Sequence, residues 1–97
     1  MEKENFSWDE KRKIWEKQYG NRLTGYDIFG RFVGRCGLEV YHILPKSRGG
    51  KTVIENAIIL SPASNREKGE KLHGIINKKY FQVLNIGNGI GKIIINQ

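Results

Sequence analysis

The sequence predicts a small single α+β domain, and three observations lead there. The chain has 97 residues, enough for one modest core, since a chain of this size buries only about two thirds of its unfolded surface. Its first twenty residues carry one complete helix signal. Beyond them the apolar residues fall into short pieces separated by most of the chain's twelve glycines, the punctuation of turns and short strands.

The elements follow in order. Ser7-Trp8-Asp9-Glu10 has the Ser-x-x-Glu spacing of a capping box, in which side chains satisfy the first free backbone N–H groups of a helix. Trp8 and Trp15 lie seven apart on one face with Ile14 beside them, and Gly20 marks the end. Both tryptophans are expected in the core. Residues 21–37 hold Gly25, Gly30, Gly34 and Gly37 among Tyr26, Ile28, Phe29, Phe32 and Val33, which predicts short extended pieces joined by turns. Arg22, Arg31 and Arg35 make this stretch basic.

Residues 38–44 read as a strand, through Val40, Tyr41 and Ile43, and Pro45 ends it. Lys46-Ser47-Arg48-Gly49-Gly50 is a loop, and Ala57-Ile58-Ile59-Leu60 is a short buried strand. A helix comes next, with two competing starts, Ser61-Pro62 and Ser64-x-x-Glu67. It is expected to reach about His73, with Gly74 as its stop. Residues 80–84 and 90–96 flank Asn88-Gly89 as a C-terminal strand pair.

Charge narrows the partner classes. Seventeen Lys and Arg oppose ten Asp and Glu, a net +7. That favours polyanions such as nucleic acid and fast, salt-sensitive association with them, and no long basic amphipathic stretch points to a membrane surface. Cys36 is the lone cysteine, so neither an internal disulfide nor a cysteine zinc site is expected, and a free cysteine is commonly a small buried or partly buried residue. No leader sequence and no apolar run of about 18 residues is legible. The expectation is a cytoplasmic protein with no membrane partner.

One stretch carries chemistry. Glu39-Val40-Tyr41-His42-Ile43-Leu44-Pro45 leads into Ser47-Arg48-Gly49-Gly50, then Glu55-Asn56-Ala57-Ile58-Ile59-Leu60 and Ser64-Asn65-Arg66-Glu67-Lys68-Gly69. Asn56 lies fourteen positions after His42, and Asn65 nine after Asn56. A strand ending in histidine, a glycine-rich loop, a second strand and a helix opening with asparagine closely resemble the HNH endonuclease family, the ββα-metal finger. The resemblance is close over residues 38–72. It is looser over 7–37, where Trp15-Glu16-Lys17 and Thr24-Gly25 look like the family's lead-in without its usual zinc-binding cysteines.

The resemblance implies a ββα core at about 38–73 and a metal-dependent DNA endonuclease of little sequence preference. Cleaving a phosphodiester needs a base and something to absorb charge on the leaving oxygen. A neutral imidazole can take a proton from water near pH 7, and a hard cation such as Mg²⁺ stabilises the departing oxygen. His42 is therefore the implied general base. Asn65 is an implied metal ligand through its amide oxygen, and Asn56 the implied residue that holds the His42 loop by side-chain to backbone hydrogen bonds. Mg²⁺ is the implied ion, with Mn²⁺ or Zn²⁺ as alternatives.

Tyr41 stands where the family usually carries a metal-binding Asp. A phenol with a pKa near 10 is a poor Mg²⁺ ligand. Glu39, two residues earlier on the same strand face, is the candidate to supply the missing carboxylate. His73 lies eight residues beyond Asn65, about 12 Å along a helix, too far to do so. Lys46, Arg48, Lys51, Arg66 and Lys68 surround the motif and suit backbone phosphates, which they would neutralise without reading bases. Two readings result. One is the nuclease. The other is a catalytically weakened scaffold of the same fold that binds nucleic acid or a protein partner, in the manner of an effector or inhibitor encoded by a bacterium, plasmid or phage.

Overall fold

The computed structural model describes residues 5–96. Its helix α1 spans Trp8–Tyr19 and is capped as its sequence requires. The Ser7 hydroxyl accepts from the Glu10 N–H at 3.2 Å, and the Glu10 carboxylate accepts from the Ser7 N–H at 2.8 Å. Trp15 is 0% exposed, and its indole N–H donates to the Arg22 carbonyl at 2.8 Å. Trp8, expected beside it, is 65% exposed. It sits on the opening turn, and Phe6, just before the cap, fills the core at that end instead.

Strands β1 (Thr24–Tyr26) and β2 (Phe32–Gly34) form an antiparallel hairpin, Tyr26 opposite Phe32. Asp27 organises its turn: one carboxylate oxygen accepts from the Phe29 and Arg31 N–H groups, both at 2.9 Å. The other accepts from Ser61 N–H at 3.0 Å. Burial pushes this carboxyl's pKa up, but hydrogen bonds from Ser61, Arg31, Ser64 and Phe29 outweigh it and hold the pKa below its ordinary value. Cys36, expected buried or partly buried, is exposed, in the turn that Gly37 (φ 75°) helps to form before the next strand.

Strands β3 (Val40–His42) and β4 (Ala57–Ile59) pair antiparallel, Val40 with Ile59, Tyr41 with Ile58 and His42 with Ala57. This pair separates two cores. Val40 and Ile59 join Phe6, Ile14, Trp15, Val33 and Leu38 on one side. Leu44, Ile58 and Leu60 join Phe29, Ile76, Phe81 and Val83 on the other. An apolar run at 57–60 is what a strand covered on both faces needs.

Helix α2 spans Pro62–Lys68, with Ser61 as cap and Pro62 at its first position. The expected extension to His73 does not form. Gly69 (φ 49°) closes the helix, its N–H donating to the Asn65 carbonyl at 2.8 Å. His73 instead opens strand β5 (His73–Ile76), which pairs with β6 (Lys79–Asn85), and β6 pairs with β7 (Gly91–Asn96). The C-terminal unit thus has three strands in the order β5-β6-β7 rather than two. The extra hairpin turns at Asn77 and Lys78, both at positive φ (50° and 67°), a geometry for which the sequence has no Asn-Gly marker. Among the described residues no helix is long and apolar enough to cross a membrane.

Candidate active site around His42

His42 ends β3, where pairing with Ala57 fixes its backbone. Its ring is half-buried against Phe6, with ring centroids 5.1 Å apart. Its Nε2 lies 2.7 Å from the Thr52 hydroxyl. Burial first, then the positive charges of Lys46 and Lys68, push the imidazole pKa below its usual 6.5. At neutral pH the ring is therefore uncharged and able to accept a proton.

The loop that follows is held by Asn56, which is 0% exposed. Its amide oxygen accepts from the Leu44 and Gly91 N–H groups at 2.9 and 2.8 Å. Its amide nitrogen donates to the Leu44 and Lys51 carbonyls at 3.1 and 3.0 Å. One side chain thereby ties the strand end, the glycine-rich loop and the start of β7 together. With both amide protons donated to carbonyls, Asn56 is a positioning residue. The chain also demands glycine at position 50, where a Cβ would stand 1.7 Å from the Leu44 carbonyl oxygen.

A cleft of about 410 Å³ opens beside this loop, bordered by Lys11, Glu39, Tyr41, His42 and Lys46 among others. Three sequence-chosen residues, Glu39, Tyr41 and His42, thus share one opening with Lys46. Tyr41 also packs against the second core, on the strand face opposite His42. Burial and the Glu39 charge push its phenol pKa up from 10, so it stays protonated. The Glu39 carboxylate lies 3.8 Å from the Lys11 ammonium. Asn65 is half-buried on α2 and is not among the residues bordering this cleft.

Of the expected phosphate contacts, Lys46, Arg48, Lys51 and Arg66 are exposed. Lys68 is not. It is 1% exposed, and burial lowers its pKa to about 8. Helix α2 turns Ser64 and Lys68, one turn apart, inward together, so Lys68 acts on His42 through its charge rather than on a surface phosphate. Two residues of the site escaped the sequence reading. Thr52, against the imidazole, and Phe6, packed on it at a tilt of 41°, follow and precede His42 at distances that no local pattern marks.

The donor chemistry suits a hard cation in kind. Glu39 and the Tyr41 hydroxyl offer oxygen at the cleft, the Asn65 amide lies outside it, and Mg²⁺ is commonly held by one or two carboxylates together with substrate phosphate oxygens. In charge the set is thin, and among the described residues no three His, Cys, Asp or Glu side chains gather. Comparison with known protein families, curated proteins and solved structures finds no match to this chain.

Proposed function

We infer that this protein is an HNH-type endonuclease that hydrolyses DNA phosphodiesters with little sequence preference. The observation that carries the reading is a neutral, half-buried imidazole at the end of β3, beside a loop clamped by Asn56 and open to a cleft that Lys46 borders. His42 takes a proton from water, and the water oxygen attacks phosphorus. The P–O3′ bond breaks and the leaving O3′ takes a proton from solvent water, leaving a 5′ phosphate and a 3′ hydroxyl. Lys46 and the exposed Arg48, Lys51 and Arg66 hold the backbone phosphates. Glu39 and Tyr41, which border the cleft, are the residues that would hold a divalent cation, Mg²⁺ first, while Asn65 does not border it. Bound there, the cation supplies charge stabilisation at the leaving oxygen.

A second reading has its own observation. Tyr41 keeps its proton and Glu39 is shared with Lys11, so the oxygen set binds a cation weakly, and the protein becomes a scaffold that binds nucleic acid or a protein partner without cutting. Plasmid nicking in Mg²⁺ or Mn²⁺ separates the two. The nuclease reading expects nicking by the wild type, its loss in His42→Ala, and faster nicking in Tyr41→Asp. Nicking confined to Tyr41→Asp supports the scaffold, and DNA left intact by all three proteins overturns the nuclease.

A further inference from the structure

The β1–β2 hairpin carries two large rings with no place in either core. Tyr26 is 67% exposed and Phe32 61% exposed. They stand directly opposite each other in the register, ring centroids 6.3 Å apart and planes at 79°. The strands alternate, with Gly25 and Val33 turned inward and Tyr26 and Phe32 outward.

Poor packing does not explain this exposure, because the hairpin is braced from behind. The Tyr19 hydroxyl donates to the Tyr26 carbonyl at 2.8 Å. The Tyr19 ring lies so close to Gly25 that a Cβ there would be 2.6 Å from it. The Trp15 indole holds the Arg22 carbonyl. A rigid hairpin thus presents two aromatic faces to solvent.

The cations around them outnumber the carboxylates. Arg22 and Arg35 flank the open end of the hairpin, and the Lys79 ammonium lies 3.2 Å from where a Cβ of Gly30 would stand, at its turn. None of these three makes an ion pair among the described residues. The nearby carboxylates are already engaged, Glu67 by Arg31 and Glu39 by Lys11. Paired exposed rings between unpaired cations suit a ligand with planar faces and negative charge. Two copies of a chain of net +7 would repel each other across this face.

We propose that the outer face of the β1–β2 hairpin is a binding site for single-stranded nucleic acid, with unpaired bases stacking on Tyr26 and Phe32 and phosphates meeting Arg22, Arg35 and Lys79. Duplex DNA hides the base faces that such a site uses, so the hairpin selects unpaired strand while the exposed lysines and arginines near His42 serve either form. The site rests on the nucleic-acid reading for its ligand class and on nothing at His42.

Fluorescence anisotropy with a labelled 12-nucleotide single strand, the same strand built from abasic units, and the 12-base-pair duplex tests it. The wild type is expected to bind the single strand about 10-fold or more tighter than the abasic strand, the size of one or two stacking contacts. Tyr26→Ala/Phe32→Ala is expected to lose that difference and keep its duplex affinity, and Tyr26→Phe to retain both. Equal binding of normal and abasic strands by the wild type, or an unchanged single-strand affinity in the double variant, overturns the stacking site and leaves the duplex reading intact. No binding to any of the three overturns both. A concentration-dependent dimer in sedimentation that the double variant abolishes overturns the site in favour of self-association.

Discussion

A lysine ammonium on the last turn of α2 has given up its hydration shell, and Lys68 answers with a pKa lowered to about 8 from 10.5. The sign of its effect on stability follows. Below pH 8 the ammonium is charged in both folded and unfolded chains, and its burial cost is fully present. Between pH 8 and 10.5 the unfolded chain holds the proton that the folded chain releases, so stability rises with pH by up to about 3 kcal/mol. Lys68→Met is expected to stabilise the protein at pH 7 by a similar amount and to flatten this rise. Guanidinium unfolding at pH 7 and 9.5 checks both, and a destabilised variant at pH 7 would contradict an uncompensated burial cost for the ammonium. The inward face of α2 is Ser64 and Lys68, so apolar periodicity could not reveal which residues face in. That is why Lys68 read as a surface cation. Asn56 was legible because the sequence resemblance gave its position after the loop the role of holding that loop. Thr52 was not, since a threonine ten residues after His42 looks like any loop residue.

At the scale of elements, the loop between β3 and β4 is set by backbone approach more than by side chains. Gly49 needs its positive φ of 90° but has open space around it, whereas Gly50 lies against the Leu44 and Pro45 carbonyls. Gly49→Ala should cost about 1 kcal/mol, the ordinary penalty for a left-handed residue. Gly50→Ala must displace the Leu44 carbonyl, break the Asn56 clamp, and cost several times more. Thermal unfolding of the two variants ranks them, and equal losses would contradict the geometry. Most elements were legible from the chain. Ser7 and Glu10 announced α1, Val40 and Tyr41 announced a strand that ends at His42 rather than running to Leu44 before Pro45, and the run at 57–60 announced a strand covered on both sides. The end of α2 was missed because Gly69, inside the expected helix, competed with Gly74 as its stop. The hairpin joining β5 to β6 was missed because Asn77-Lys78 adopts a left-handed turn that lysine rarely marks. Trp8 was misplaced because a seven-residue spacing fixes a shared face and not how far along the helix the core extends.

Across the whole molecule, the β3–β4 pair with its loop lies between two cores, and each core supplies residues to the surroundings of His42: Phe6 from the first, Leu44 and Tyr41 from the second. The net charge of +7 then sets how a polyanion meets this frame. Duplex binding should weaken linearly on a log–log plot against salt, with each phosphate contact contributing a slope of about 0.9. Arg48→Gln/Lys51→Gln is expected to reduce that slope by about 2 without changing sequence preference. A slope identical to the wild type in a NaCl titration would remove these two residues from the interface. The α+β class was legible from sequence at this scale because the capped helix and the short glycine-punctuated apolar runs specify it. The partner was legible only as a class, since charge names polyanions and no more.

Chemical rescue reaches the central claim most directly. His42→Gly leaves a space where the imidazole stood, and added imidazole can enter it and take the proton from water. Plasmid nicking by His42→Gly should be absent without imidazole and should return in proportion to the concentration of its neutral form. Nicking that survives the substitution unaided, or that added imidazole never restores in a variant with wild-type folding, would contradict His42 as the base.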